Sequence, residues 1–235
     1  MAISIAIDGP AGAGKSTIAR AIAKELGFLY LDTGAMYRTC GLKAARTGAD
    51  PNQTEDLIRL IADTHVEVAF REGRQVMLLD GEDVTDLIRS PEISRWASDI
   101  SRIEEVRRMM VDAQREIAGA QNVVMDGRDI GTHVLPNADL KIFLTASLDE
   151  RARRRHLELN ETVMPKAELD HVREDIAVRD RQDMTREHAP LRQADDAILI
   201  DSSSLSIEDV IARVLTEINK LPVDRPERET CHEEE

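Results

Sequence analysis

The stretch IAIDGPAGAGKSTIARAIAKELGF, residues 5–28, decides how the rest of the chain is read. An apolar run ending at Asp8 meets Gly9-Pro10-Ala11-Gly12-Ala13-Gly14-Lys15-Ser16, and Ile18, Ile22 and Leu26 then recur at helical spacing. Strand, glycine loop and helix, in that order, are what a phosphate-binding loop requires. Glycines let successive backbone N–H groups turn toward an anion, and the helix N-terminus adds its dipole. Gly9 to Thr17 is therefore the expected ATP-phosphate segment. Within it Lys15 reaches the β- and γ-phosphates and Ser16 is a Mg²⁺ ligand.

Working outward, four more short apolar runs read as buried parallel strands: 28–32, 122–126, 140–146 and 197–202. Helical patterns separate them, and Ser206 with Asp209 offers reciprocal capping to the last helix, which runs to about Lys220. The alternation predicts an α/β fold of the P-loop NTPase type, a five-stranded parallel sheet with helices on both faces. The pattern breaks at 65–80, where two alternating segments flank REGR and read as an antiparallel hairpin. Two helices follow, one opened by Ser90-Pro91-Glu92 and one by a capping box of Ser101 with Glu104. A single domain over 1–220 is expected. Its core spans about 1–50 and 120–220, with a small antiparallel-β-plus-helix insertion at about 50–118, a lid at about 150–186, and a disordered acidic tail at 221–235.

The 235 residues carry a formal net charge of −14 and are 42% hydrophobic. That is a globular composition, and the charge argues against a nucleic-acid or anionic-membrane surface. No apolar run is long enough to span a bilayer, and no basic region precedes an apolar one at the N-terminus. Cys40 and Cys231 lie far apart in no metal-ligand spacing, so a reduced, cytoplasmic protein is expected, and a monomer. Against the acidic background, arginines cluster in RARRR at 151–155 and at Arg179, Arg181 and Arg186. Local arginines in an acidic chain predict a small anionic ligand held in a cleft.

Two further pieces bear on that ligand. VVMDGRD places Asp126 after an apolar run, where a strand-end acid would hold Mg²⁺, through water; its plainer role is to cap the next turn. LDTGAMYR follows the second strand, with Thr33-Gly34 read as a turn and Arg38 one helical turn on. Taken with DGPAGAGKST, DGRDIGT, RDRQDMTREHAPL and DSSSLSIEDV, these motifs make the chain similar, from residue 1 to about 220, to the bacterial cytidylate kinases, within the nucleoside monophosphate kinases. That resemblance implies transfer of the γ-phosphoryl group of ATP to CMP or dCMP, with Mg²⁺. It implies Thr33, Arg38, Arg128 and Arg186 around the acceptor phosphate. It implies Ser98, Arg107 and Asp129 at the cytosine, with Asp129 accepting from the amino group and the other two donating. Arg179 and Asp183 would reach the ribose.

Phosphoryl transfer needs in-line positioning and charge neutralisation, which Lys15, Arg128 and Arg186 suit. From RARRR, Arg151 and Arg155 share a helix face at i,i+4 and are the expected lid cations; the plainer reading is a solvated face of Glu–Arg pairs. Trp96 follows its helix's apolar spacing and reads as core. His133, His156 and His188 are scattered and carry no expected role. Kinases for adenylate, shikimate or dephospho-coenzyme A, and a nucleotide-dependent switch, are the rival readings.

Overall fold

The structure, a computed structural model, describes residues 2–159 and 166–221. Residues 222–235 of the expected disordered tail and the part of the lid at 160–165 lie outside the described residues; Leu221, expected in the tail, instead packs against the core. The elements in chain order are β1 (Ser4–Asp8), α1 (Lys15–Leu26), β2 (Leu29–Asp32), α2 (Thr33–Thr47), α3 (Thr54–Ala62), β3 (Val66–Arg71), β4 (Arg74–Leu79), β5 (Glu82–Asp83), α4 (Pro91–Ile100), α5 (Glu104–Ala120), β6 (Val123–Gly127), β7 (Leu140–Thr145), α6 (Leu148–Leu159), α7 (Lys166–Thr185), β8 (Ile198–Asp201) and α8 (Ile207–Ile218).

Five strands pair in parallel in the order β2-β6-β1-β7-β8. All five expected runs are in this sheet, whose central strands β1, β6 and β7 are covered on both faces while edge strand β8 leaves Leu199 exposed. Along β6, Val123 and Met125 pack toward α2 and α5 while Val124 packs toward α1 and α8. Burial on both faces is why these strands read as continuous apolar runs. The sheet register sets Asp32 beside Asp126, and Asp8 beside Gly127. Asp8, Asp32 and Asp126 therefore gather at the carboxyl ends of three neighbouring strands, where open α/β sheets bind their ligands.

The hairpin forms as β3 and β4, and β5 extends it to three antiparallel strands. The segment 54–118 does not build a core of its own. Leu57, Met77, Ile88, Ile93 and Val106 pack in one cluster with Leu31, Met36 and Met125 of the main sheet layer. Trp96 is half-buried against the same cluster, as its spacing suggests. Helix starts follow the sequence in part. Ser90 accepts from Ile93 N–H, and Ser206 with Asp209 forms the full capping box. The expected Ser101–Glu104 box is absent. Ile103 sits at that N-cap, and the Ser101 hydroxyl instead donates to the Ser98 carbonyl. Likewise Thr33 and Gly34 make no separate turn. They are the first residues of α2, because Asp32 itself caps the helix by accepting from Ala35 N–H.

Candidate active site

The glycine loop joins β1 to α1, and two of its glycines are forced by neighbours. A Cβ at Gly9 would lie 1.9 Å from the Leu144 carbonyl oxygen of β7. A Cβ at Gly12 would lie 2.9 Å from the Arg151 carbonyl oxygen of α6. The loop is thus pressed against both elements, and only backbone without side chain fits. Asp8, just before it, accepts from the N–H groups of Ile130 and Gly131 at 2.8 and 2.7 Å, tying the loop's root to the turn after β6. Burial nevertheless pushes the Asp8 carboxyl up to about 6.

The loop's far side is held by the arginines of α6. Arg151 donates to the Ala11 carbonyl at 2.9 Å and to the Ala146 carbonyl at 2.9 Å, and pairs with Asp180 of α7. Asp180 also accepts from Ala11 N–H at 3.0 Å. Arg154 donates to the Ala13 carbonyl and to Ser202. Arg153 pairs with Glu150 in solvent, and Arg155, paired with Glu158, lines the cleft. The shared face expected for Arg151 and Arg155 does not put both in the cleft, which Arg155 lines and Arg151 does not. Arg151 is buried behind the loop, because Asp180 and two carbonyls satisfy its guanidinium there.

The cleft in front of the loop has a volume of about 750 Å³. Ala11 to Thr17 line it, whereas Gly9 and Pro10 do not. Pro10 has no N–H to offer, and its carbonyl accepts from Lys15 Nζ at 2.7 Å. Of the expected phosphate segment, Gly9 and Pro10 thus lie away from the cleft and Ala11 N–H is engaged by Asp180. Lys15 is buried, and that burial, with Arg128 nearby, lowers its ammonium to about 7. Ser16 Oγ donates to Asp126 Oδ2 at 2.9 Å, and Tyr30 donates to Oδ1 at 2.9 Å. Burial and the neighbouring Asp32 push Asp126 up to about 6.

All nine residues expected at the acceptor line the same cleft: Thr33, Arg38, Ser98, Arg107, Arg128, Asp129, Arg179, Asp183 and Arg186. Thr33 donates to the Asp126 carbonyl at 2.8 Å, and Arg38 pairs with Asp32 at 2.8 Å. Arg128 donates to Asp183 at 2.9 Å; burial opposes its charge, but Asp183 outweighs that and its pKa is raised. Asp129 is held by Arg107 on one oxygen and by Arg186 on the other, the second at 3.0 Å. Arg179 differs from these. Its Nε is buried without a hydrogen-bond partner, as is that of Arg38. Burial, then the like charge of Arg128, lowers the Arg179 guanidinium to about 10.

Some lining residues carried no sequence signal. Gln75 of β4 accepts from Asp32 N–H at 2.7 Å and so ties the insertion to the end of β2. Tyr37, Arg89 and Arg95 line the cleft, and Gln182 takes the Ser98 proton at 3.1 Å, so Ser98 is not the free donor expected of it. In all, ten Lys and Arg side chains face the cleft against seven Asp and Glu, an excess of positive charge inside a chain of net charge −14. An anion bound there would relieve the mutual repulsion that lowers Lys15 and Arg179.

The sequence matches the cytidylate kinase family over residues 5–220. A cytidylate kinase of Caldicellulosiruptor bescii is 54% identical over 215 residues, covering 91% of this chain and 94% of that one. One of Geobacillus kaustophilus is 50% identical over 218 residues, covering 93% and 97%. Among solved structures, an uncharacterized protein from Eubacterium ventriosum superposes with a TM-score of 0.50 at 12% identity, over 93% of this chain and 99% of that one. At that identity the likeness speaks to the fold alone.

Proposed function

The chain belongs to the cytidylate kinase family, and on that premise we propose how its cleft divides the work of moving the γ-phosphoryl group of ATP to CMP. The new bond joins a CMP phosphate oxygen to Pγ, and the bond that breaks joins Pγ to the β–γ bridging oxygen. The acceptor phosphate is already a nucleophile, so the side chains position and neutralise rather than abstract a proton.

The N–H groups of residues 12–17 cradle the donor phosphates, and Lys15 moves from the Pro10 carbonyl to the β/γ oxygens. The acceptor phosphate sits among Thr33, Arg38, Arg128 and Arg186. The carrying observation is the pair of buried, partnerless Nε groups of Arg38 and Arg179 beside the loop. Each is a donor left without an acceptor until the nucleotide enters, Arg38 for its phosphate and Arg179 for its ribose. Arg179 and Asp183 serve the ribose in this reading, and Arg155 approaches the transferring group from α6. Arg151 acts behind the loop, as the clamp on Ala11. Ser98, Arg107 and Asp129 meet the base.

A magnesium ion fits the donor set, since Ser16 and Asp126 place a hydroxyl and a carboxylate side by side. When bound it would supply charge neutralisation across the β- and γ-phosphates. dCMP is an acceptor too in this reading, because no side chain is committed solely to the 2′-hydroxyl. A cytoplasmic monomer is part of the proposal; Cys40, buried as a free thiol, fits a reducing compartment.

The test is ADP release measured with CMP, dCMP, UMP and AMP. CMP should exceed UMP by at least about 10²-fold in kcat/KM, as expected when a wrong base leaves buried polar groups unpaired. Arg179→Ala should raise the KM for CMP and leave that for ATP nearly unchanged. A variant with unaltered KM for CMP would remove Arg179 from the acceptor site.

A further inference from the structure

Ser98 on α4 and Gln182 on α7 face each other across the cleft, and both line it. The Ser98 hydroxyl donates to Gln182 Oε1 at 3.1 Å. A hydroxyl owns one proton and two lone pairs. With the proton committed to α7, buried Ser98 turns only acceptor capacity to the cleft. Nearby, both Asp129 oxygens are already engaged by arginines. The adjacent residue, Asp183, is itself pinned by Arg128, so the α7 turn carrying Gln182 is anchored.

We propose that Gln182 is a positioning residue for base selection: it holds the Ser98 proton away from the ligand, so that Ser98 accepts from the exocyclic amino group of cytosine. Uracil carries a carbonyl at that position and would meet the Ser98 lone pairs with like polarity. The inference rests on the reading above that Ser98 meets the base. It adds that the polarity of Ser98 is set from α7. Because α7 also carries Arg179 and Asp183, one helix would orient both the base reader and the ribose residues.

The test is kcat/KM for CMP and UMP, with KM for ATP, in the parent, Gln182→Leu, Gln182→Glu and Ser98→Ala. Leucine frees the Ser98 proton to donate to uracil. The CMP:UMP ratio should then fall by about tenfold or more, partly through a rise in absolute UMP turnover, while KM for ATP holds. General damage to the fold would not raise UMP turnover. Glutamate accepts and cannot donate, so Gln182→Glu should keep the parent ratio even if its charge weakens both nucleotides. If Gln182→Leu leaves the ratio unchanged while Ser98→Ala narrows it, the Gln182 inference is wrong and Ser98 reads the base by itself. If Ser98→Ala leaves the ratio unchanged, the base-reading role of Ser98 fails. A ratio lost equally in Gln182→Glu and Gln182→Leu also overturns the proposal, because the accepting group would then not be what matters.

Discussion

Lys15 shows how a single residue is prepared for an absent charge. Buried, resting on the Pro10 carbonyl with Arg128 nearby, it holds its proton weakly, and in the proposed reading an arriving phosphate would restore it. Lys15→Ala should cut kcat by about 10²-fold or more, roughly 2.7 kcal/mol of lost transition-state stabilisation. The melting temperature should hold, and near-full turnover in the variant would defeat the assignment. Asp8 makes a different residue-scale prediction. Its folded carboxyl titrates at about 6 against an ordinary 3.8, burial outweighing two backbone N–H bonds. The folded state thus binds this proton more tightly than the unfolded chain. Its contribution to stability therefore falls as pH rises through that window, by at most about 3 kcal/mol, and is level above it. Carbon-13 NMR of the Asp8 carboxyl should show a midpoint near 6. A midpoint near the ordinary value would mean that the Ile130 and Gly131 N–H groups win over burial.

At the scale of elements, the site depends on how closely helices approach. Gly41, inside α2, is where α4 crosses: a Cβ there would lie 3.0 Å from Trp96 Cβ, 3.1 Å from Ala97 N and 3.2 Å from the Ile93 carbonyl. The neighbours are backbone and Cβ atoms, which cannot rotate away. Gly41→Ala should cost about 1–3 kcal/mol of overpacking. Since α4 carries Ser98, the KM for CMP should rise with the loss of stability. Thermal melts and CMP titrations on the one variant check both, and an unchanged melting temperature would show that α4 shifts at little cost. The α6 arginines teach the same lesson. Helical spacing put Arg151 and Arg155 on one side, correctly for an isolated helix. Yet Arg151 meets the Ala11 and Ala146 carbonyls and Asp180, whereas Arg155 turns to the cleft beside Glu158. Two residues one turn apart therefore meet different surroundings, a carbonyl clamp and solvent.

For the whole molecule, the inserted segment behaves as part of one core. Leu57, Met77, Ile88 and Val106 share a cluster with Leu31, Met36 and Met125. Deleting residues 54–118 should therefore expose β2, β6 and α2 and prevent cooperative folding, rather than leave a smaller folded sheet. Circular dichroism melts decide the point: a cooperative transition in the shortened chain would show that the α/β layer stands without the insertion. Charge is also distributed at this scale. A chain of net −14 keeps a surplus of Lys and Arg in one cleft, a distribution that suits a small anion held inside rather than a polyanion on the surface.

The sequence by itself determined the parallel sheet, the glycine loop, the hairpin and, through its motifs, the family. Each of those rests on spacing along the chain: buried strands read as apolar runs, and the loop as glycines between strand and helix. Its motifs also singled out nine residues that line the cleft, though not Tyr37, Arg89, Arg95 or Gln182 beside them. Only the tertiary structure decided what each polar group does there. Donors and acceptors are assigned by partners distant in sequence: Ala11 N–H by Asp180, Arg151 by the back of the loop, and the Ser98 proton by Gln182. Periodicity can place a side chain on a face, but which partner its proton meets depends on the element packed against that face. That packing is a property of the folded chain, not of any window of residues within it.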